Sequence, residues 1–415
     1  MPRRAALLAL LAAVLIAPAA AHANTFTVNA TGDHAADSCD GECTLRDAIA
    51  AANASSDTDT IVVPAGNYTV NGDNGAYVIS NPVTITGPAT AQPTATLTSD
   101  YHNRVFDVTG SGITVTISHL RVYGGQSPDI DGGSGLLARG SGATINLDHD
   151  VWDRQSNNLS GGAILQQTGV LNISDSEILN ATAYRGGGLF ISAGTANVTR
   201  TLWMGNGNNT GGGGAIYNQV GFLDVSDSTF IANTINAGHG GAIYASASTT
   251  IRDSTFSENV ASGNNGGGSA IWFDTTPSLR NNLFGPSGYQ DSCAHSAGYG
   301  IQDLGGNLDA GSSCLLAGAN SHQTILLGPL VDNGGATRSL LPWANSAGHG
   351  TGANCLATDQ RGVARNPAVC DTGAVEGFSG SNAPAPGVDA DAPTDGTPES
   401  MTLHALIDRQ GLGST

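Results

Sequence analysis

Between residues 113 and 284 the chain repeats itself about every 27 residues, and this periodicity restricts the fold more than any other feature. Gly161-Gly162-Ala163-Ile164 returns as Gly186-Gly187-Gly188-Leu189, Gly213-Gly214-Ala215-Ile216 and Gly240-Gly241-Ala242-Ile243. With looser copies ending at Leu136 and Ile271, the aliphatic positions are separated by 28, 25, 27, 27 and 28 residues. A second series, Val122, Trp152, Ile178, Trp203, Phe230, Phe256 and Phe284, runs in step at 30, 26, 25, 27, 26 and 28. Each of its members follows by five residues an aliphatic such as Ile173, Val198 or Ile251.

Within one unit lie three short stretches of alternating polarity, as at 242–245, 249–252 and 254–257, separated by Gly/Asn-rich joints. Alternation of period two means strands. No helix-period segment intervenes, so a βαβ array is excluded. Three strands per coil, repeated along an axis, predict a right-handed parallel β-helix with Ile, Val and Phe columns inside and coils about 4.8 Å apart. Hydrophobic content of 40% is enough for such a core and argues against disorder. A third column precedes the aromatic series by three residues: His119, His149, Asp175, Arg200, Asp227, Asp253 and Asn281. Asn, Asp and His tolerate a left-handed backbone, so these read as corner residues and not as ligands. Arg200 fits that reading least well.

The flanks place the chain outside the cell. Residues 1–23 have the parts of a secretory signal: Arg3 and Arg4, an apolar run over 5–16, and Ala21-His22-Ala23 for cleavage. The mature chain is expected to start near Asn24, with no later segment apolar enough to span a membrane. Formal charge is 15 − 34 = −19, and every base is an arginine. That balance repels phosphate backbones and anionic lipid, which excludes a nucleic-acid binder. Six cysteines in an exported chain predict disulfides, and position favours Cys39–Cys43, Cys293–Cys314 and Cys355–Cys370. Their spacing does not suit a zinc site, and no metal is expected.

Three resemblances add to this reading. The Gly-Gly-Ala-Ile segments, with Trp203-Met204-Gly205-Asn206, Phe230-Ile231-Ala232-Asn233 and Phe256-Ser257-Glu258-Asn259, resemble the repeats of polymorphic outer-membrane proteins. That resemblance implies a displayed β-helix with an adhesive role, although no C-terminal barrel pattern follows. Cys43-Thr44-Leu45-Arg46-Asp47-Ala48-Ile49, followed by Asp59-Thr60-Ile61-Val62-Val63-Pro64-Ala65-Gly66, resembles the CSLREA domain of bacterial exported proteins. Thr44 and Asp47 form an acidic capping box, and Leu45, Ala48, Ile49 and Ala52 share one helical face. A short lid helix over the open end of the solenoid is therefore expected. Asp359-Gln360-Arg361-Gly362 and Cys370-Asp371-Thr372-Gly373-Ala374-Val375-Glu376 resemble the end of choice-of-anchor β-helix domains, where such a segment closes the last rungs. The predicted organisation is a signal at 1–23, a cap with first rungs at 24–112, and central repeats at 113–284. C-terminal rungs with a disulfide-stapled cap follow at 285–378, then a disordered acidic, proline-rich tail at 379–415 with a short helix at 401–409.

Candidate sites follow from the strand alternation. If the Gly-Gly-Ala-Ile aliphatics point inward, the next residues, Leu165, Phe190, Tyr217, Tyr244 and Trp272, point outward as a column. Such a stack would bind a chain of sugar rings, or would simply stabilise adjacent coils. Arg185, His239 and Asp274 border the same face and are the candidate catalytic groups. Asp129 with Asp131, and Asp148 with Asp150, each place two carboxylates on one strand face. The glycines at 211–214 precede a strand, so no phosphate-binding helix terminus is formed. The reading favoured is an exported β-helix scaffold or adhesin for glycans or cell-surface polysaccharide, without a cofactor. The alternative is a polysaccharide lyase on the same fold, and calcium is a candidate cofactor only under that alternative.

Overall fold

A computed structural model describes residues 23–377, apart from 128–130, 263–266, 288–290, 315 and 317–319, together with 388–390 and 405–407. The expected signal, Asp129 and most of the tail lie outside the described residues. No helix among the described residues is long and apolar enough to cross a membrane.

The alternating stretches become strands because each buries every second side chain. In Val170–Ser174, Leu171 and Ile173 are buried while the residues between are half-exposed, and Thr144–Asp148 and Thr195–Thr199 repeat the pattern. Parallel pairing keeps register from coil to coil, so that Leu147, Ile173, Val198, Val225, Ile251 and Leu279 form one inward column. The result is a parallel β-solenoid with three main faces. A first face of nine strands runs from Tyr77–Ile79 to Cys293–His295 and holds the strands entered through the paired glycines. The second has eleven, from Thr25–Thr27 to Gln302–Asp303, and the third ten, from Gly66–Val70 to Leu308–Asp309. The aromatic series lies on the third face and stacks inside, with ring centroids 5.9 Å apart for Trp203 and Phe230, 4.8 Å for Phe230 and Phe256 and 5.2 Å for Phe256 and Phe284.

Corners repeat as strictly as strands. The corner between second and third faces is left-handed at all seven expected positions, with φ of 45–56° from His119 to Asn281. Arg200 obeys the period against its residue type. Its guanidinium donates to both carboxylate oxygens of Asp175 one coil earlier, at 2.8 and 2.5 Å, which compensates for the strained backbone. After the third face, Asn206, Asn233 and Asn259 turn inward and are buried. The Asn233 amide donates to Trp203 O at 2.9 Å, and its Oδ1 accepts from Asn206 N at 3.0 Å. This internal ladder satisfies backbone groups that no strand partner reaches. The first glycine of each pair is left-handed, as at Gly213 with φ 62°, where a Cβ would collide with Ile216 O.

The expected lid is Leu45–Asn53, with the Thr44–Asp47 capping box formed. Leu45, Ala48, Ile49 and Ala52 are buried against the strands Asp59–Val62 and Tyr77–Ile79. All three local disulfides are present.

Three features depart from expectation. Four coils carry a fourth short strip, Thr182–Arg185, Gly207–Gly212, Thr234–Ile235 and Val260–Ala261, between the third face and the next first face. Segment 323–377 does not simply close the last rungs. It runs back as a strap over the outside of the third face, where Ile325, Leu327 and Leu340 cover Leu179, Leu202 and Ile231. Polar clamps fix it along several coils: Arg338 to Glu177 at 2.7 Å, Gln360 to Thr229 at 2.6 Å and buried Arg365 to Asp227 at 3.0 Å. In the tail, Val388–Ala390 and Ala405–Ile407 pair antiparallel, so the helix expected across 401–409 is not formed at 405–407.

Candidate functional site

The expected outward column exists. Leu137, Leu165, Phe190, Tyr217, Tyr244 and Trp272 occupy one register position of the first face, on the side opposite the main core. Its rings stack at 5.3 Å for Phe190 and Tyr217 and 4.5 Å for Tyr217 and Tyr244. The column is not the open flat face that alternation implied. Phe190 and Tyr217 are buried, and only Tyr244 and Trp272, at one end, are half-buried. The glycine-rich segment leading into each first-face strand folds over the rings, so closely that a Cβ on Gly212 would overlap Tyr244.

Arg185, His239 and Asp274 all meet this column. The Arg185 guanidinium lies 5.4 Å from the Tyr184 ring and 5.7 Å from that of Tyr217. His239 stacks on Trp272 at 3.8 Å. Burial pulls the His239 imidazole below its ordinary value, with Asp274 acting the other way, so the ring is neutral at pH 7. Asp274 accepts from Ser296 at 2.5 Å, Tyr244 at 2.9 Å, the Trp272 indole at 3.1 Å and Ser246 at 3.2 Å. Burial works to raise the Asp274 carboxyl, but these donors outweigh it and hold it low. Burial and the Asp274 bond push the Tyr244 phenol well above its usual range. The cluster immobilises the open end of the column.

Beside the cover lies a cleft of about 510 Å³ along the fourth strip. One residue from each of five successive coils lines it at the same register: Gln126, Ser156, Thr182, Gly207 and Thr234. Asn158, Thr210 and Tyr184 add to the wall, and Tyr184 is 45% exposed. None of the lining side chains among the described residues is charged. Among the described residues, the side chains of Gln126, Asn158, Thr182 and Thr210 have no hydrogen-bond partner. The polar column on the second face differs: Asn172 donates to Asn146 and Asn197 to Asn172, each at 2.8 Å, so those amides occupy one another. Sequence reasoning missed the cleft. The signal was available, because Gln126, Ser156, Thr182, Gly207 and Thr234 each stand four residues after a member of the aromatic series.

Asp148 and Asp150 do not form a site, and the Asp129–Asp131 pair lies partly outside the described residues. Left-handed His149 turns the chain between Asp148 and Asp150, leaving Asp148 half-exposed and burying Asp150, whose carboxyl burial drives well above its ordinary value. Among the described residues, Asp148, His149 and Asp175 are close enough together to hold a metal ion. Their atoms are already engaged, Asp175 by Arg200 and Asp148 by Ser174 at 2.6 Å and His149 at 2.9 Å.

No protein-family model and no curated protein matches the chain. The resemblances to polymorphic outer-membrane, CSLREA and choice-of-anchor proteins therefore rest on the quoted motifs alone, and no family match supports them. One similar solved structure is described as the crystal structure of pectate lyase Pel9A, with 16% identity, a TM-score of 0.47, and coverage of 86% of this chain and 98% of that one.

Proposed function

We propose that the chain is an exported β-helix scaffold that binds glycans, and that they lie in the cleft along the fourth strip. The observation carrying this reading is the lining, where the unpartnered side chains of Gln126, Asn158, Thr182 and Thr210 flank a half-exposed tyrosine ring and no described lining side chain is charged. Amide and hydroxyl groups donate and accept, as sugar hydroxyls do, and an aromatic face covers the apolar face of a sugar ring. The buried rings of Phe190 and Tyr217, first assigned to ligand binding, become a rigid support, while Tyr244 and Trp272 remain within reach at the open end. Three disulfides and the secretory pattern support an extracellular setting. A lyase would need a base free to take a proton: the Asp274 carboxylate is occupied by four donors and the Arg185 guanidinium lies over the Tyr217 ring, while the His239 Nδ1, buried without a partner, is the group that a lyase reading would call on.

Affinity electrophoresis through gels containing neutral or acidic polysaccharides tests the proposal. Retardation by at least one polysaccharide is expected, with at least tenfold weaker binding in Tyr184→Ala. Absence of retardation in every gel, or retardation indifferent to Tyr184→Ala, would overturn it. Unsaturated products absorbing in the ultraviolet would move the assignment to a lyase.

A further inference from the structure

Resting on the glycan reading above, we infer that the cleft takes a neutral, linear, extended glycan lying parallel to the solenoid axis and contacting about four to five rings. The column Gln126, Ser156, Thr182, Gly207 and Thr234 supplies one position per coil over five coils. Successive positions are separated by the coil spacing, roughly 4.8 Å, so the ladder runs about 19 Å from end to end. Rings in an extended polysaccharide repeat at a closely similar interval. A polymer laid lengthwise therefore presents one ring, with hydroxyls on its edges, to each coil, and the geometry favours repetition over any single deep pocket.

Gly207 is the one rung without a side chain, so backbone forms the floor there and a ring can approach closely. At other coils the groups facing the ligand are Gln126 and Thr182, and Thr210 stands beyond Gly207 on the same coil; the side chains of all three lack protein partners among the described residues. Burying them against an apolar or poorly matched ligand would be costly, whereas sugar hydroxyls satisfy them. The second face is equally regular but its asparagines bond each other, which leaves nothing comparable to offer.

Charge decides between neutral and acidic polymers. Among the described residues the cleft presents no cation to a carboxylate or sulfate, and the chain carries a net charge of −19. An acidic glycan would lose its hydration without gaining a partner and would meet a repulsive field.

Isothermal titration of the full chain with cello- and xylo-oligosaccharides of two to six rings, and with hexagalacturonate, tests this. Affinity for at least one neutral series should rise about threefold or more per ring and level off near four to five rings. Hexagalacturonate should bind at least tenfold more weakly at low salt. Gln126→Leu, at one end of the ladder, should weaken the six-ring ligand several-fold and leave the two-ring ligand unchanged. Thr182→Val, near its middle, should weaken both. Equal or tighter binding of hexagalacturonate, affinity that is flat from two rings upward, or a Gln126→Leu loss independent of length would overturn this inference while leaving glycan binding intact. Failure of every oligosaccharide to bind would overturn the glycan reading and this inference with it.

Discussion

Asn233→Ala should destabilise the solenoid far more than its chemistry at the surface would suggest. The side chain is buried and links three coils: it donates to Trp203 O at 2.9 Å and to Asn259 Oδ1 at 2.9 Å, and accepts from Asn206 N at 3.0 Å. Truncation removes the acceptor of Asn206 N and the side-chain donor to Trp203 O, at a site with no room for bulk water. Each buried group left unmatched costs about 1–3 kcal/mol, so a total of about 2–6 kcal/mol is expected for the two. Asn197→Ala is the control, since that amide belongs to a hydrogen-bonded ladder of the same period on the half-exposed second face. Water replaces the lost partner there, and the cost should stay below about 1 kcal/mol. Urea unfolding followed through tryptophan fluorescence reads both, because Trp152 and Trp203 are fully buried. Equal losses, or an Asn233→Ala loss below about 1 kcal/mol, would refute the claim that the inner ladder holds the corners.

Docking of the strap should depend on pH. Burial pushes the Asp227 carboxyl up to about 7 against the pull of Arg365, and burial raises Asp253 as well. A carboxyl raised above its ordinary value holds its proton in the docked state, so docking is strongest below about pH 4 and weakens as pH rises through 7. Hydrogen exchange in 357–376, corrected for intrinsic rates, should show at least about tenfold more protection at pH 5 than at pH 8, and Asp227→Asn should shrink the difference, leaving the part that Asp253 contributes. Protection that grows with pH would contradict this. Gly213→Ala should cost about 1–3 kcal/mol or more, because φ is 62° and the added Cβ meets Ile216 O. A variant as stable as the parent in the same urea assay would show that the first glycine is dispensable.

What the sequence revealed was whatever the coils repeat. Trp203, Phe230 and Phe256 announced their column because the same environment recurs on each coil, and even Arg200 could be placed at its corner by period alone. The strap was illegible for the opposite reason. Arg365 meets Asp227 138 residues away, and Arg338 meets Glu177 161 residues away, through contacts that occur once and leave no periodic trace. The outward direction of Tyr217 was readable from alternation, but its cover was not, since the glycines at 211–214 look like an ordinary joint. Thr182 and Thr234 are residue types common in any loop. Only their register, revealed by the fourth strip, makes them a ladder.

A crystal structure of the chain soaked with a bound neutral hexasaccharide tests the account most directly. Density is predicted along the axis between Gln126 and Thr234, with one ring against Tyr184 and hydroxyls facing Thr182 and Thr210. Sugar seated instead on the Asn146–Asn197 ladder of the second face, or across the coils at right angles to the axis, would contradict it.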